Sequence, residues 1–288
     1  MGVTGLEYCS HDQVKALCEE FGFRFTKSLG QNFLINPDTV RRIAEASGAD
    51  RDTAVLEVGP GFGALTAALA ERAGHVYALE LDKALFPVLD KTLAGYSNVT
   101  VIQGDVLKAD LAAPFAGDAH SRRMVAANLP YYITTKTILR LLGTRMFDRL
   151  TVMIQKEAAD KLLCKPDTEN WCLFSLLAHH YADVELCFPV PRSSFRPQPT
   201  VDSSVIRMTP RPPLDGEAEP VFLRLADGVF AMRRKNLANC LRPVFGQETA
   251  ESALAACGID PARRGESLTL AEAEVLAEAV QRLLTKKN

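Results

Sequence analysis

The sequence predicts an α/β fold: a mostly parallel sheet covered by helices, followed by a small C-terminal all-helical domain. Three observations predict it. Short β-rich runs alternate with helical stretches over the first two-thirds of the 288 residues, as in successive βαβ units. Runs such as Ala54-Val55-Leu56-Glu57-Val58 are almost continuously apolar, which suits strands covered on both faces, as parallel strands are. After Pro210-Arg211-Pro212-Pro213 the β-rich runs stop, and from about Glu219 the sequence is helix-forming to the end.

In chain order, the segment before the first strand reads as a loop leading to a helix capped by Asn36, with Pro37 at its first position. Strands are expected at 54–58, 75–81, 99–103, 124–129 and 150–155. Two further runs, 183–188 and 203–208, are joined by a Pro-rich stretch rather than a helix, which predicts an antiparallel finish to the sheet. The last stretch, 268–284, has amphipathic Leu and Val spacing. A boundary near residue 213 separates a domain at 1–213 from a helical one at 214–288.

Composition narrows the class. Hydrophobic residues make up 47% and charged residues 24%, enough apolar surface for a large core, which excludes disordered and fibrous classes. No apolar run approaches the ~18 residues of a membrane span, and the N-terminus lacks the basic flank and apolar stretch of a secretory signal. Leu6 stands where a myristoylation signal wants Ser or Thr. No membrane partner and a cytoplasmic location are therefore expected. Seven cysteines, odd in number and without CxxC spacing, argue against a disulfide framework and a zinc site. His179 and His180 have no Cys or carboxylate at ligand spacing and read as structural, so no metal is expected. A monomer is the expectation.

Gly59, Gly61 and Gly63 follow the first strand and open a helix, where absent side chains let the backbone approach a ligand at a positive helix end. Gly59-Pro60-Gly61-Phe62-Gly63-Ala64 also satisfies the looser dinucleotide pattern, so at this point a nicotinamide enzyme is a rival. Glu80 ends the second strand, 21 residues after Gly59, where a carboxylate can accept from both ribose hydroxyls. Asp82, two residues on, reads as a helix cap. Asp105 follows the third strand at the same sheet edge, where it can accept from an adenine amine or cap the next turn.

The fourth strand runs into Asn128-Leu129-Pro130-Tyr131-Tyr132, the most specific segment in the chain. An exocyclic adenine amine is a poor nucleophile because its lone pair is delocalised into the ring. An Asn side-chain oxygen and a fixed backbone carbonyl can accept its two hydrogens and favour a pyramidal nitrogen, without any strong base. Asn128 and the Pro130 carbonyl are the candidates, with Tyr131 stacking on a base drawn from its own stack or from a single-stranded loop. The bland readings are a turn cap for Asn128 and a buried ring for Tyr131.

With these motifs in order, the chain resembles the ribosomal RNA adenine dimethyltransferases. The resemblance runs from about Lys27 to Arg242 through KSLGQNFLINP, EVGPGFGALT, LELD, GDVL, NLPYYIT, VPRSSFRPQPTVDSSV and RRKNLANCL. It implies a Rossmann-like S-adenosylmethionine-dependent methyltransferase fold with a mostly parallel seven-stranded sheet. The cofactor it implies is S-adenosyl-L-methionine, with catalysis in 1–213 and RNA binding in 214–288. Position by position, it implies that Asn32 and Leu34, with Gly59, Glu80, Asp105 and Asn128, line the cofactor site, where Gly61 belongs to the same glycine loop. It also implies that Phe195 joins Tyr131 in sandwiching the target adenine; from the residues alone, Phe195 reads as core.

Within that family the segment Arg233-Arg234-Lys235-Asn236-Leu237 and the helical tail look like the small-subunit branch, which modifies two adjacent adenosines in a hairpin loop near the 3′ end of 16S rRNA. The implied partner is that rRNA or an immature small ribosomal subunit. The large-subunit branch, which confers macrolide resistance, is the alternative; an oxidoreductase and a non-catalytic ribosome assembly factor are more distant ones. Arg233, Arg234 and Lys235 are the candidate RNA contacts. From Arg224 to Arg242, five basic residues face Asp227 alone, a local +4 in a chain of net charge −2, although a solvated helix face gives the same pattern. One departure stands out: Cys172, in Trp171-Cys172-Leu173-Phe174-Ser175, occupies a position near which the family pattern predicts a glycine.

Overall fold

Seven strands form one sheet in the computed structural model, which describes residues 5–25, 30–214, 216–232 and 234–286. They are β1 (Thr53–Val58), β2 (His75–Glu80), β3 (Val99–Gln103), β4 (Arg122–Asn128), β5 (Arg149–Gln155), β6 (Ala182–Val190) and β7 (Ser203–Pro210), in the order β3-β2-β1-β4-β5-β7-β6. The strands from β3 to β5 pair in parallel, and β7 runs antiparallel to β5. All seven expected runs are strands, and the antiparallel finish follows the helix-free Pro-rich connection. Every residue of central β1 is buried, whereas edge strands β3 and β6 carry exposed positions, as burial on two faces against one demands.

Helices lie between and after the strands in chain order. Ser10 caps α1 (His11–Glu20). In α2 (Pro37–Ser47) the Asn36 side chain accepts from Thr39 N at 3.0 Å, and Gly48 ends the helix at φ 68°. Next come α3 (Ala64–Ala70), α4 (Phe86–Thr92), α5 (Thr134–Gly143), α6 (Lys156–Leu163) and α7 (Leu173–Tyr181). Between α1 and α2, Phe33–Leu34 pairs antiparallel with Phe195–Arg196 in a separate two-stranded ladder. The last four helices are α8 (Ala218–Ala231), α9 (Leu237–Phe245), α10 (Gln247–Ala256) and α11 (Leu270–Thr285).

The chain divides into two compact units, Met1–Ala159 with Val184–Pro210, and Asp160–Asp183 with Arg211–Asn288. This differs from a single boundary at 213: residues 160–183 belong with the helical tail. The reason is their apolar side chains. Trp171 and Leu176 sit in one buried cluster with Phe222, Leu225, Leu241 and Leu276 of the later helices. Cys172 stands at the N-cap of α7, where its backbone N–H donates to Ser175 Oγ at 3.2 Å, so the expected glycine is replaced by a residue that fits a helix start. His180 is buried against the Phe222 ring, with Glu274 at 3.1 Å from Nδ1 and Glu219 at 3.2 Å from Nε2; its carboxylate partners come from α8 and α11, out of reach of local spacing. A capping box of Thr269 and Glu272 starts α11, and the Arg263 guanidinium beside Glu272 lowers that carboxyl to about 2.

Candidate active site

The sheet order reverses at β1 and β4, and a cleft opens there outside the carboxyl ends of the strands. Its floor is the loop after β1. Gly59, Gly61 and Gly63 all have positive φ, 71°, 60° and 84°, a region that side chains rarely adopt. At Gly61 there is a second constraint, since a Cβ would meet the Phe33 ring at 2.8 Å. Phe33 in turn stacks on Phe62, centroids 4.3 Å apart, so the Gly30–Leu34 segment is clamped over the glycine loop by aromatic contact.

The acidic wall comes from the ends of β2 and β3. Glu80 accepts from Asp82 N at 2.7 Å and Gly61 N at 3.4 Å, and burial pushes its carboxyl pKa up. Asp82 accepts from Ala84 N as the cap it was read to be, and also from Gln31 Nε2 at 2.8 Å, which ties the 30–34 segment to β2. Asp105 lines the cleft while its Oδ1 accepts from Leu107 N at 2.8 Å, so the capping role and the wall position coexist.

Opposite stands the end of β4. Asn128 Nδ2 donates to the Asn32 carbonyl at 2.9 Å, which orients the amide with Oδ1 as the group left to accept. The Pro130 carbonyl is already engaged, accepting from Thr134 Oγ1 at 3.1 Å and Ile133 N at 3.2 Å, so an incoming amine hydrogen has to displace the rotatable Thr134 hydroxyl. Tyr131 is half-buried and lines the cleft with its hydroxyl 3.3 Å from Ser203 Oγ.

The structure therefore brings Asn32, Leu34, Gly59, Gly61, Glu80, Asp105, Asn128, Pro130 and Tyr131 to one cleft. Phe195 is different. It is 2% exposed, pairs with Leu34 across the short ladder and belongs to the buried cluster of Phe188, Val190 and Val205, and it does not line the cleft. Strand pairing holds it in the core, as its residue type alone suggested. Arg234 and Lys235 are exposed on the turn between α8 and α9 in the second unit; Arg233, like Lys27, Ser28 and Leu29, lies outside the described residues. Arg224 donates to the Val244 carbonyl and Arg242 pairs with Glu251, so those two members of the basic segment have structural partners.

Among the cleft residues that the sequence did not single out are Phe33, Glu57 and Tyr132. Glu57 is the most unusual. It is 1% exposed one residue before the end of β1, and its Oε2 has no hydrogen-bond partner. Burial pushes its carboxyl up to about 8, against the opposing pull of the neighbouring Thr66 hydroxyl and with a smaller push from the Glu80 charge. A charged residue inside an otherwise apolar strand was the available signal.

These features fit a cationic nucleoside cofactor. The glycine loop is a cradle a Cβ would fill, Glu80 and Asp105 supply acceptors, and Glu57 offers an orphaned buried oxygen to a positive group. Sheet order and cleft define an α/β protein whose site opens where the strand order reverses, with Asn128-Leu129-Pro130-Tyr131 on its rim.

The comparisons with known proteins specify it further. A model of the ribosomal RNA adenine dimethylase family matches residues 22–281, and the chain belongs to that family. It is 47% identical over 281 residues to the ribosomal RNA small subunit methyltransferase A of Geobacillus thermodenitrificans, covering 94% of this chain and 96% of that one. It is 43% identical to the protein of the same name from Bacillus mycoides, covering 93% and 96%. Among solved structures, the 23S rRNA methyltransferase ErmE superposes with a TM-score of 0.68 at 26% identity, over 86% of this chain and 99% of that one. A dimethyladenosine transferase from Plasmodium falciparum shares the fold, with a TM-score of 0.69 at 23% identity over 88% and 98%.

Proposed function

We propose that this protein transfers methyl groups from S-adenosylmethionine to N6 of two adjacent adenosines in a hairpin loop near the 3′ end of small-subunit rRNA, giving N6,N6-dimethyladenosine during ribosome biogenesis. Family membership and the two small-subunit relatives support the substrate. The observation that carries the chemistry is Asn128: its amide is fixed by the Asn32 carbonyl, and its oxygen is the free acceptor at the end of β4.

The cofactor would supply an electrophilic methyl on a sulfonium. This chain's residues would do the rest. Glu80 would hold the ribose hydroxyls and Asp105 the adenine amine, with the buried carboxyl of Glu57 lining the same cleft. Tyr131 stacks on the target base, while Asn128 Oδ1 accepts one amine hydrogen and weakens conjugation of the nitrogen lone pair with the ring. The Pro130 carbonyl accepts the second hydrogen once Thr134 turns away. Arg233, Arg234 and Lys235 hold RNA phosphates, which position the substrate without reading its sequence.

The test is incubation with labelled S-adenosylmethionine and undermethylated small subunits, followed by nuclease digestion and mass spectrometry. Label in dimethyladenosine of the 3′ hairpin is expected. Label confined to large-subunit rRNA would replace this reading with the large-subunit one, and absence of transfer would remove both.

A further inference from the structure

We infer that Tyr132 and Lys136 form a second nucleotide subsite beside the target pocket, with the Tyr132 ring taking the base of the adjoining nucleotide and Lys136 its phosphate. The inference rests on the RNA reading above and concerns the same cleft.

Tyr132 is 55% exposed, among the most exposed large hydrophobic side chains of the described residues, yet it lines the cleft next to half-buried Tyr131. A fold has no reason of stability to leave an aromatic ring in water beside a pocket; burial would stabilise it. The ring is also held in place. Residues 131–133 form a 3-10 turn that runs directly into α5, so Tyr132 sits on ordered helical backbone rather than on a loop. Gly30 stands against one side of the ring, where a Cβ would lie 3.4 Å from it, and more than half of the residue's surface stays open to solvent.

Lys136 follows four residues later and is exposed on the first turn of α5. Tyr132 belongs to the 3-10 turn that leads into α5, so Lys136 stands about one turn further along the same continuous helical backbone. A cation one turn from an exposed ring matches the repeat of a nucleotide, base at one end and phosphate at the other, and a nucleobase stacks on an aromatic face whatever its sequence. Tyr131 and Tyr132 are consecutive in the chain, as two adjoining bases are in RNA. The pair would thus let the protein hold one base in the pocket while its neighbour is parked outside.

The experiment uses the full chain and a hairpin RNA carrying 2-aminopurine in place of one of the two adjacent adenosines. Wild type should quench the fluorescence on binding and methylate the remaining adenosine. In Tyr132→Ala the quench should disappear and KM for RNA should rise about tenfold, with S-adenosylmethionine affinity unchanged. Tyr132→Phe keeps the ring and should behave as wild type, which separates stacking from a role of the hydroxyl or of folding. Lys136→Ala should raise KM and reduce the slope of log K against log salt by about 0.7 to 0.9, one phosphate contact. If wild type methylates the hairpin but Tyr132→Ala retains both quench and KM, the subsite is refuted while the proposed function stands. If wild type does not bind the hairpin, or binds it without quenching, the subsite is refuted, whereas the proposed function is decided by transfer to undermethylated small subunits.

Discussion

Replacing Glu57 with glutamine keeps the size of the side chain and removes a carboxyl that folding forces into the sheet interior. The group has an ordinary value of 4.5 when solvated and is raised to about 8 here. Below the lower value both folded and unfolded chains hold the proton, and the residue adds no pH dependence to stability. Between the two values the unfolded chain ionises and the folded one does not, so the folded state binds more protons and wild-type stability falls as pH rises, by up to about 1.4 kcal/mol per unit. Above the higher value the penalty is constant. From pH 5 to pH 8 the wild type should therefore lose about 2–4 kcal/mol relative to Glu57→Gln, the lower end allowing for water reaching the open cleft. Urea unfolding of both proteins, followed by circular dichroism at each pH, measures the difference, and titrations common to both chains cancel in it. A difference that stays flat from pH 5 to pH 9 would refute the idea that Glu57 is held neutral by burial.

Glu80→Ala should weaken S-adenosylmethionine binding about tenfold to a hundredfold, the loss of charged acceptors for two hydroxyls, as read by calorimetry; unchanged affinity in a folded variant removes Glu80 from the site. Asn128→Ala should lower single-turnover methylation on the order of a hundredfold to a thousandfold with only a modest loss of cofactor affinity, and a near wild-type rate rules out its role. Neutralising Arg233, Arg234 and Lys235 together should leave cofactor binding intact and reduce the salt slope of RNA binding by up to about 2.7, roughly 0.9 per phosphate. A wild-type slope would identify them as a solvated surface.

The strands were legible because their information is local: each run carries its own apolar pattern and turn residues, and the missing helix before β7 announced the change of direction. The lining of the cleft was legible for a similar reason, since Gly59, Gly61, Glu80, Asp105 and Asn128 all sit at or just beyond strand ends, and one sheet edge collects strand ends. What local sequence did not carry was pairing across distance. The two-stranded ladder that buries Phe195 against Leu34 joins residues far apart in the chain. Likewise, the orphaned oxygen of Glu57 and the aromatic clamp of Phe33 over Gly61 exist only once separate segments meet. The sharpest misplacement, residues 160–183, has the same origin: their helical pattern is equally suited to covering a sheet or joining a bundle.

That excursion has a consequence for how the protein can be cut and how it is made. The helical unit is not a detachable tail. A fragment ending at Pro213 would carry Trp171 and Leu176 without the partners that bury them, and a fragment beginning at Leu214 would lack the side chains that complete its core. Exchanging tails between relatives at that point would mismatch the same packing, whereas a graft that moves 160–183 together with 211–288 preserves it. On the ribosome, 160–183 emerges first and must wait for helices still to be synthesised, while the strands that follow it can already complete the sheet.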